Sequence, residues 1–191
     1  MTGRTLRIVV RGLASLACSI AGPLAASPLV FNAVELRAPN AASVSGADIS
    51  ARGDVVGFVH TPTQAFLYAG GNFSLLATPG TPSAAVAIND RGDIVGSFES
   101  SDGIHSFLFS NGVMQDLGRP QVTDIDALGR VVGYYTPPGT VNTLHAFAYL
   151  GGAFRDLGTL GGSGSVARAV NGAGLVAVSY THLTLPTILR V

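Results

Sequence analysis

The same turn recurs four times along this chain of 191 residues, with its glycine at Gly53, Gly92, Gly129 and Gly174. The spacings are 39, 37 and 45 residues, so the chain is built from a unit of about forty. A unit that short cannot bury an apolar face alone, and its copies must stack on one another to share a core. The first copy carries Asp48-Ile49-Ser50-Ala51-Arg52-Gly53-Asp54-Val55-Val56-Gly57 and then Gln64-Ala65-Phe66. The second runs Ala87-Ile88-Asn89-Asp90-Arg91-Gly92-Asp93-Ile94-Val95-Gly96, then His105-Ser106-Phe107 and Asp116-Leu117-Gly118. In the third, Asp124-Ile125-Asp126-Ala127-Leu128-Gly129-Arg130-Val131-Val132-Gly133 leads to His145-Ala146-Phe147 and Asp156-Leu157-Gly158-Thr159-Leu160-Gly161-Gly162. A fourth opens at Ala169-Val170-Asn171-Gly172-Ala173-Gly174.

Within each copy, β-branched and aromatic residues form short runs bounded by Gly, Asn, Asp or Pro, and no stretch after Ala33 keeps a helical period. Each copy is therefore expected to be three or four short antiparallel strands. Gly53, Gly92 and Gly129 take the positive φ of a tight hairpin turn, with Asn or Asp capping it. Gly57, Gly96 and Gly133 close the second strand, where a missing Cβ permits a bulge or a close backbone approach. Phe66, Phe107 and Phe147 alternate with small residues and are the expected core anchors. Length changes between copies fall in polar, Pro- and Gly-containing stretches such as 136–143, which are loops. The expected fold is all-β: an incomplete, β-propeller-like array of short antiparallel sheets.

The two ends depart from the repeat. Arg4, Arg7 and Arg11 precede an apolar run from Gly12 to Ala26 that is short for a membrane span, so residues 1–26 are expected to be a cleaved export signal. Residues 27–45 would be a linker or first strand, and 46–177 the repeats. Cys18 is the single cysteine, so a chain cut after Ala26 has neither a disulfide nor a thiolate metal site. The run Val178-Ser179-Tyr180-Thr181-His182-Leu183-Thr184-Leu185-Pro186-Thr187 has no relation to the repeat and resembles translated sequencing-adapter sequence. Residues 178–191 are accordingly expected to be an artefactual tail, and the repeat array a fragment.

The elements His145-Ala146-Phe147, Asp156-Leu157-Gly158-Thr159-Leu160-Gly161-Gly162 and Ala87-Ile88-Asn89-Asp90-Arg91-Gly92-Asp93-Ile94-Val95-Gly96 together resemble the HAF repeat of bacterial extracellular repeat proteins. The likeness covers about residues 46–176 and is looser in the first copy, where Gln64 replaces the His and the Asp-Leu-Gly element is missing. The resemblance implies a secreted or surface-attached, propeller-like protein, and no particular activity.

Charge narrows the partners. All eleven basic residues are Arg, and between Ser27 and Ala177 seven of them face eleven acids, a net charge of −4. An acidic body without a basic stripe speaks against nucleic acid, whose phosphates supply most of such affinity. Arg52-Gly53-Asp54 and Arg91-Gly92-Asp93 spell an adhesive tripeptide, but Gly129-Arg130 in the third copy marks the element as turn chemistry. His105 and His145 are equivalent and His60 is not, so a repeat-specific hydrogen bond explains them better than a zinc site. Asp124 and Asp126 lack the third acid and closing Glu of a calcium loop. Gly158 to Gly164 has no Lys and opens no helix, so it is not a phosphate loop, and no nucleophile elbow occurs.

These residues nominate no catalytic, metal or cofactor-binding group. The repeat positions singled out, Gly53, Gly57, Phe66, Gly92, Gly96, His105, Phe107, Gly129, Gly133, His145, Phe147, Asp156 and Gly158, are structural. The expected function is a non-enzymatic binding scaffold, with a glycan or a cell-surface protein as partner and no membrane span in the mature segment. The alternative is a propeller hydrolase or lyase acting on extracellular polysaccharide, which would need unique polar residues at one mouth of the array.

Overall fold

The computed structural model describes residues 7–11, 31–36, 38, 43–159, 162–181 and 188–190, and every regular element among them is a strand. β1 (Arg7–Arg11) and β2 (Phe31–Glu35) pair as a two-stranded antiparallel sheet. The first unit is β3 (Ser43–Ile49), β4 (Val55–His60), β5 (Gln64–Ala69) and β6 (Asn72–Leu75). The second is β7 (Ser83–Ile88), β8 (Ile94–Ser100), β9 (Gly103–Ser110) and β10 (Val113–Gly118). The third is β11 (Gln121–Ile125), β12 (Val131–Tyr135), β13 (His145–Leu150) and β14 (Ala153–Gly158). The fourth unit has β15 (Ser165–Val170), β16 (Leu175–Tyr180) and β17 (Ile188–Arg190). Each unit is one antiparallel meander, four-stranded in the first three and three-stranded in the fourth. The apolar run of the expected export signal, 12–26, lies outside the described residues, as do 182–187 of the tail. β16 continues through Val178 to Tyr180, paired with β15.

The turn between the first two strands is built alike in all four units. Asn89 N–H donates to the Asp93 carbonyl and Gly92 N–H to the Asn89 carbonyl, both at 3.0 Å, and Gly92 holds φ +90°. The Asn89 side-chain oxygen accepts from Arg91 N and Asp93 N at 2.9 and 3.0 Å. Ser50, Asp126 and Asn171 close their own turns through the same backbone pair. Side chains with a short acceptor compete well for such backbone donors, which is why these residue types occupy the position. Each first strand also carries a register shift, at Gly46/Asp48, Ala85/Ala87, Val122/Asp124 and Ala167/Ala169. A bulge bends and twists the strand that contains it, so all four first strands turn in the same way.

The sheets stack in chain order: β7 lies against β3 and β4, β11 against β7 and β8, and β15 against β11 and β12. Inner strands are thus covered on both faces, and Val55-Val56, Ile94-Val95 and Val131-Val132 are buried as pairs of neighbours. The outer strands β6, β10 and β14 stay largely exposed and mix polar with apolar residues, leaving Leu75, Val113 and Phe154 at the surface. Phe107 fills the core between the first and second sheets, with Val56, Ala65 and Ile88. Phe147 fills the next one with Val95, Val122 and Ile125, while Phe66 packs under Leu36, Val55 and Val59 on the far side of the first sheet.

Opposite each Phe is a glycine: Gly57 pairs with Phe66, Gly96 with Phe107 and Gly133 with Phe147. A Cβ on Gly96 or Gly133 would strike both the paired ring and a carbonyl of the first strand, Ala84 or Gln121. In the fourth unit Val178 stands here, opposite Ala167.

A buried hydroxyl closes each seam. Ser83, at the start of β7, accepts from Ala65 N, and Ser165, at the start of β15, accepts from Ala146 N. The third unit has Pro120 at that place, and there Ser106 on β9 accepts from Val122 N instead. The three serines are at most 3% exposed, so each removes a backbone donor from the cost of burial without a partner.

Candidate functional site

The third strand of the second and third units carries, near its start, a histidine that the fourth strand meets. His105 Nδ1 lies 2.9 Å from Asp116 Oδ2, and His145 Nδ1 lies 2.9 Å from Asp156 Oδ2. Each aspartate also accepts from a backbone N–H two residues on, Gly118 at 2.7 Å and Gly158 at 2.8 Å. Both glycines have positive φ, 77° and 69°, which bends the chain back toward the carboxylate. The first unit lacks both partners at once; there the Gln64 amide donates to the Leu76 carbonyl. Partial burial pushes the Asp156 carboxyl up, but the Gly158, His145 and Tyr135 contacts outweigh it and hold it below the usual range. Burial and the Asp156 charge push the Tyr135 hydroxyl up.

The arginine and aspartate of the turns are also paired. Arg52 reaches Asp54 and Arg91 reaches Asp93, each at 2.8 Å, with the aspartate side chains 12% and 7% exposed. The Arg-Gly-Asp tripeptides therefore point their acids inward, against their own arginines. The third unit makes the same pair from other positions, Arg130 Nε to Asp126 Oδ2 at 2.6 Å. Asp93 is raised by burial and lowered further by Ser110, Asn89 and Arg91, with a net downward shift. The turns also bind one another along the array: Ala51 N donates to Asp90, Asn89 Nδ2 to the Asp126 carbonyl, and Arg130 to the Gly172 carbonyl.

His60 stands apart from the other two, with Nε2 2.9 Å from Ser45 Oγ and its ring against Phe58. Asp48 and Asp124 each accept a backbone N–H of the next unit, Ile88 and Val170. Burial raises the Asp124 carboxyl, despite those donors, and the charges of Asp48 and Asp126 add to the rise. Among the described residues no three His, Cys, Asp or Glu side chains come together as a metal site.

The outer rim of the seam between the second and third sheets opens into a cleft of about 270 Å³. Gln115, Asp116 and Leu117 of β10 and Pro120 form one wall; Phe147, Tyr149 and Phe154 of the third unit form the other. Phe154 is 45% exposed and stacks on Phe147 with centroids 4.9 Å apart. Tyr135 meets Phe154 edge to face at 4.9 Å, which fixes the ring in place. Gln115 Nε2 donates to the Tyr149 hydroxyl at 2.9 Å across the seam. An apolar concavity with a few converging polar groups is the usual form of a small-ligand site.

At the preceding seam the equivalents of Tyr149 and Phe154 are Phe109 and Met114, and both pack against the shared core. Met is unbranched and fills irregular gaps. In the first unit Tyr68 and Phe73 hold the same two places, and Phe73 stacks on Phe66 with centroids 4.7 Å apart, so Met114 is the residue that departs from the repeat. Of the residues singled out by sequence, only Phe147 lines it; Asp116, Gln115, Tyr149 and Phe154 were not nominated. The one sequence signal for them was an aromatic at 154 where the second unit has a methionine.

Compared with protein-family models, curated proteins and solved structures, the chain matches none. What defines it is its own architecture: small antiparallel sheets stacked in sequence, with an aromatic-walled cleft at the seam between the second and third.

Proposed function

We propose that this chain is a secreted or surface repeat scaffold that binds its ligand without transforming it, and that the cleft between the second and third sheets is a glycan-binding site. The observation that carries the proposal is the wall made by Phe154, Tyr149, Gln115 and Asp116. A pyranose ring has an apolar C–H face that packs on an aromatic ring, and a rim of hydroxyls. Here an exposed phenyl lies beside an amide, a phenol and a carboxylate, which can match both parts. The His–Asp pairs tie the third strand to the fourth within a unit and the Arg–Asp pairs close the turns, which leaves Phe154, Tyr149 and Gln115 to face a ligand at this seam.

The apolar run near the N-terminus and the likeness to HAF repeats support export. The common bulge and the stacking of each first strand on its predecessor support a propeller-like arrangement, since the same offset repeated would wind the sheets about an axis.

The test is binding of the full chain to an array of bacterial and plant oligosaccharides, followed by calorimetry on the tightest disaccharide. Phe154→Ala and Gln115→Ala should each weaken that binding about tenfold, the loss expected for one stacked ring or one buried hydrogen bond. Unchanged affinity in both variants overturns the placement of the site. Release of new reducing ends from any oligosaccharide overturns the non-enzymatic reading in favour of a hydrolase or lyase.

A further inference from the structure

The histidine of the second unit is held differently from that of the third, and the difference touches the cleft. His145 meets one carboxylate, whereas His105 lies between two. Its Nδ1 is 2.9 Å from Asp116 Oδ2, and its Nε2 is 2.9 Å from Asp102 Oδ1 in the turn between β8 and β9. The second contact lacks the alignment of a hydrogen bond, and Nε2 is buried without any other partner. A neutral imidazole carries a proton on one nitrogen only, so its other nitrogen would turn a lone pair toward a carboxylate. Only the imidazolium satisfies both neighbours.

Both carboxylates also lead to the cleft. Asp116 lines it directly, and Asp102 binds Arg119 through its carbonyl oxygen at 2.6 Å and its carboxylate at 3.1 Å. Arg119 precedes Pro120, which lines the same wall. The remaining neighbours of the ring are uncharged or turned away. Phe98 of β8 packs edge-on at 5.6 Å, and Glu99 pairs with Ile104, one position along, on the opposite face of the sheet. The Asp116 bond raises the His105 pKa most; burial opposes this, and Asp102 adds to the rise. Asp102 is correspondingly lowered, first by His105 and then by Arg119.

We infer that Asp102, His105 and Asp116 form a proton-dependent clamp that holds the β10 wall of the cleft, so that ligand binding is strongest when His105 is protonated. This inference rests on the cleft being the binding site. With the proton present, one ring ties the β8–β9 turn and Arg119 to β10. As the pH rises through the folded value of His105, Asp102 keeps Arg119 but loses its tie to the ring, and the β10 wall loses an anchor.

The experiment is NMR titration of the full chain, following the His105 ring and the Gln115 side-chain amide, with calorimetry of the tightest disaccharide at the same pH values. The His105 midpoint should lie above that of an ordinary imidazole, and the Gln115 amide should shift with the same midpoint. Affinity should fall about fivefold or more as the pH crosses it. Asp102→Asn should lower the midpoint and move the fall in affinity to lower pH by the same amount. A midpoint at or below the ordinary value overturns the clamp. A raised midpoint with flat affinity and an unmoved Gln115 amide overturns its coupling to the cleft. If no saccharide binds at any pH, the glycan reading fails, and the Gln115 amide alone decides the clamp.

Discussion

Replacing Gly96 by alanine tests why glycine stands opposite the aromatic anchor. Gly96 pairs directly with Phe107, and an added Cβ would collide with the Ala84 carbonyl while lying 2.6 Å from Phe107 Cζ. The ring can rotate away, but the carbonyl is fixed by the pairing of β7 with β8. Overpacking costs ~1–3 kcal/mol and an off-rotamer ring adds ~0.5–1.5. Alanine recovers only ~0.5–1 kcal/mol of the entropy that a strand glycine loses. The net is a loss of about 2 kcal/mol, or about 4–8 °C in melting temperature for a chain of this size. Gly172→Ala is the control, since nothing lies within 4 Å of its added Cβ and its φ is outside the left-handed region; it should be neutral or slightly stabilising. Urea unfolding followed by far-UV circular dichroism reads both, with the slope checked for constancy. In the double variant with Phe107→Ala, the ring collision is gone and the losses should fall short of additivity by ~0.5–1.5 kcal/mol. If Gly96→Ala proves as stable as Gly172→Ala, the close approach does not explain the glycine.

Ser106→Ala should destabilise by ~1–3 kcal/mol, because Val122 N loses its buried acceptor; adding Pro120→Ser should restore part of it by placing a hydroxyl where Ser83 and Ser165 stand, there accepting from the third-strand N–H of residue 106 rather than from Val122 N. Failure of the second substitution to recover any stability in urea would show that the seams are not equivalent. Asp93 sits below the usual carboxylate range when folded, so its contribution is present above about pH 4 and lost as the pH falls through the folded value. Asp93→Asn should therefore flatten the acid limb of a stability–pH curve, and an unchanged limb would refute the assignment.

The turns at Gly53, Gly92, Gly129 and Gly174 are legible in sequence because they depend on residues within five positions of one another. The burial of Phe66, Phe107 and Phe147 is legible for a related reason: alternation along a strand records which face is covered. The acceptor of each His is not, since Asp116 and Asp156 lie eleven residues away and become neighbours only through a register shift. The cleft is still further from view. It needs β10 of one unit beside β14 of the next, and Phe154 by itself does not announce it, since Phe73 holds the same place in the first unit. The tripeptide Arg-Gly-Asp shows the opposite failure: a familiar string whose carboxylate is already bound to its own arginine.

The exchange of Ser83 and Ser165 for Ser106 has a consequence for how such chains diverge. Either neighbour can supply the hydroxyl of a seam, and it then accepts from an N–H of the strand opposite. Selection then acts on a pair of sites in adjacent units, 14 to 19 positions apart, while each site alone drifts freely. An alignment of units scored column by column would record both sites as variable. Scored as linked pairs, the same sites would be among the most constrained, and related arrays should be recognisable by that linkage after their individual residues have changed.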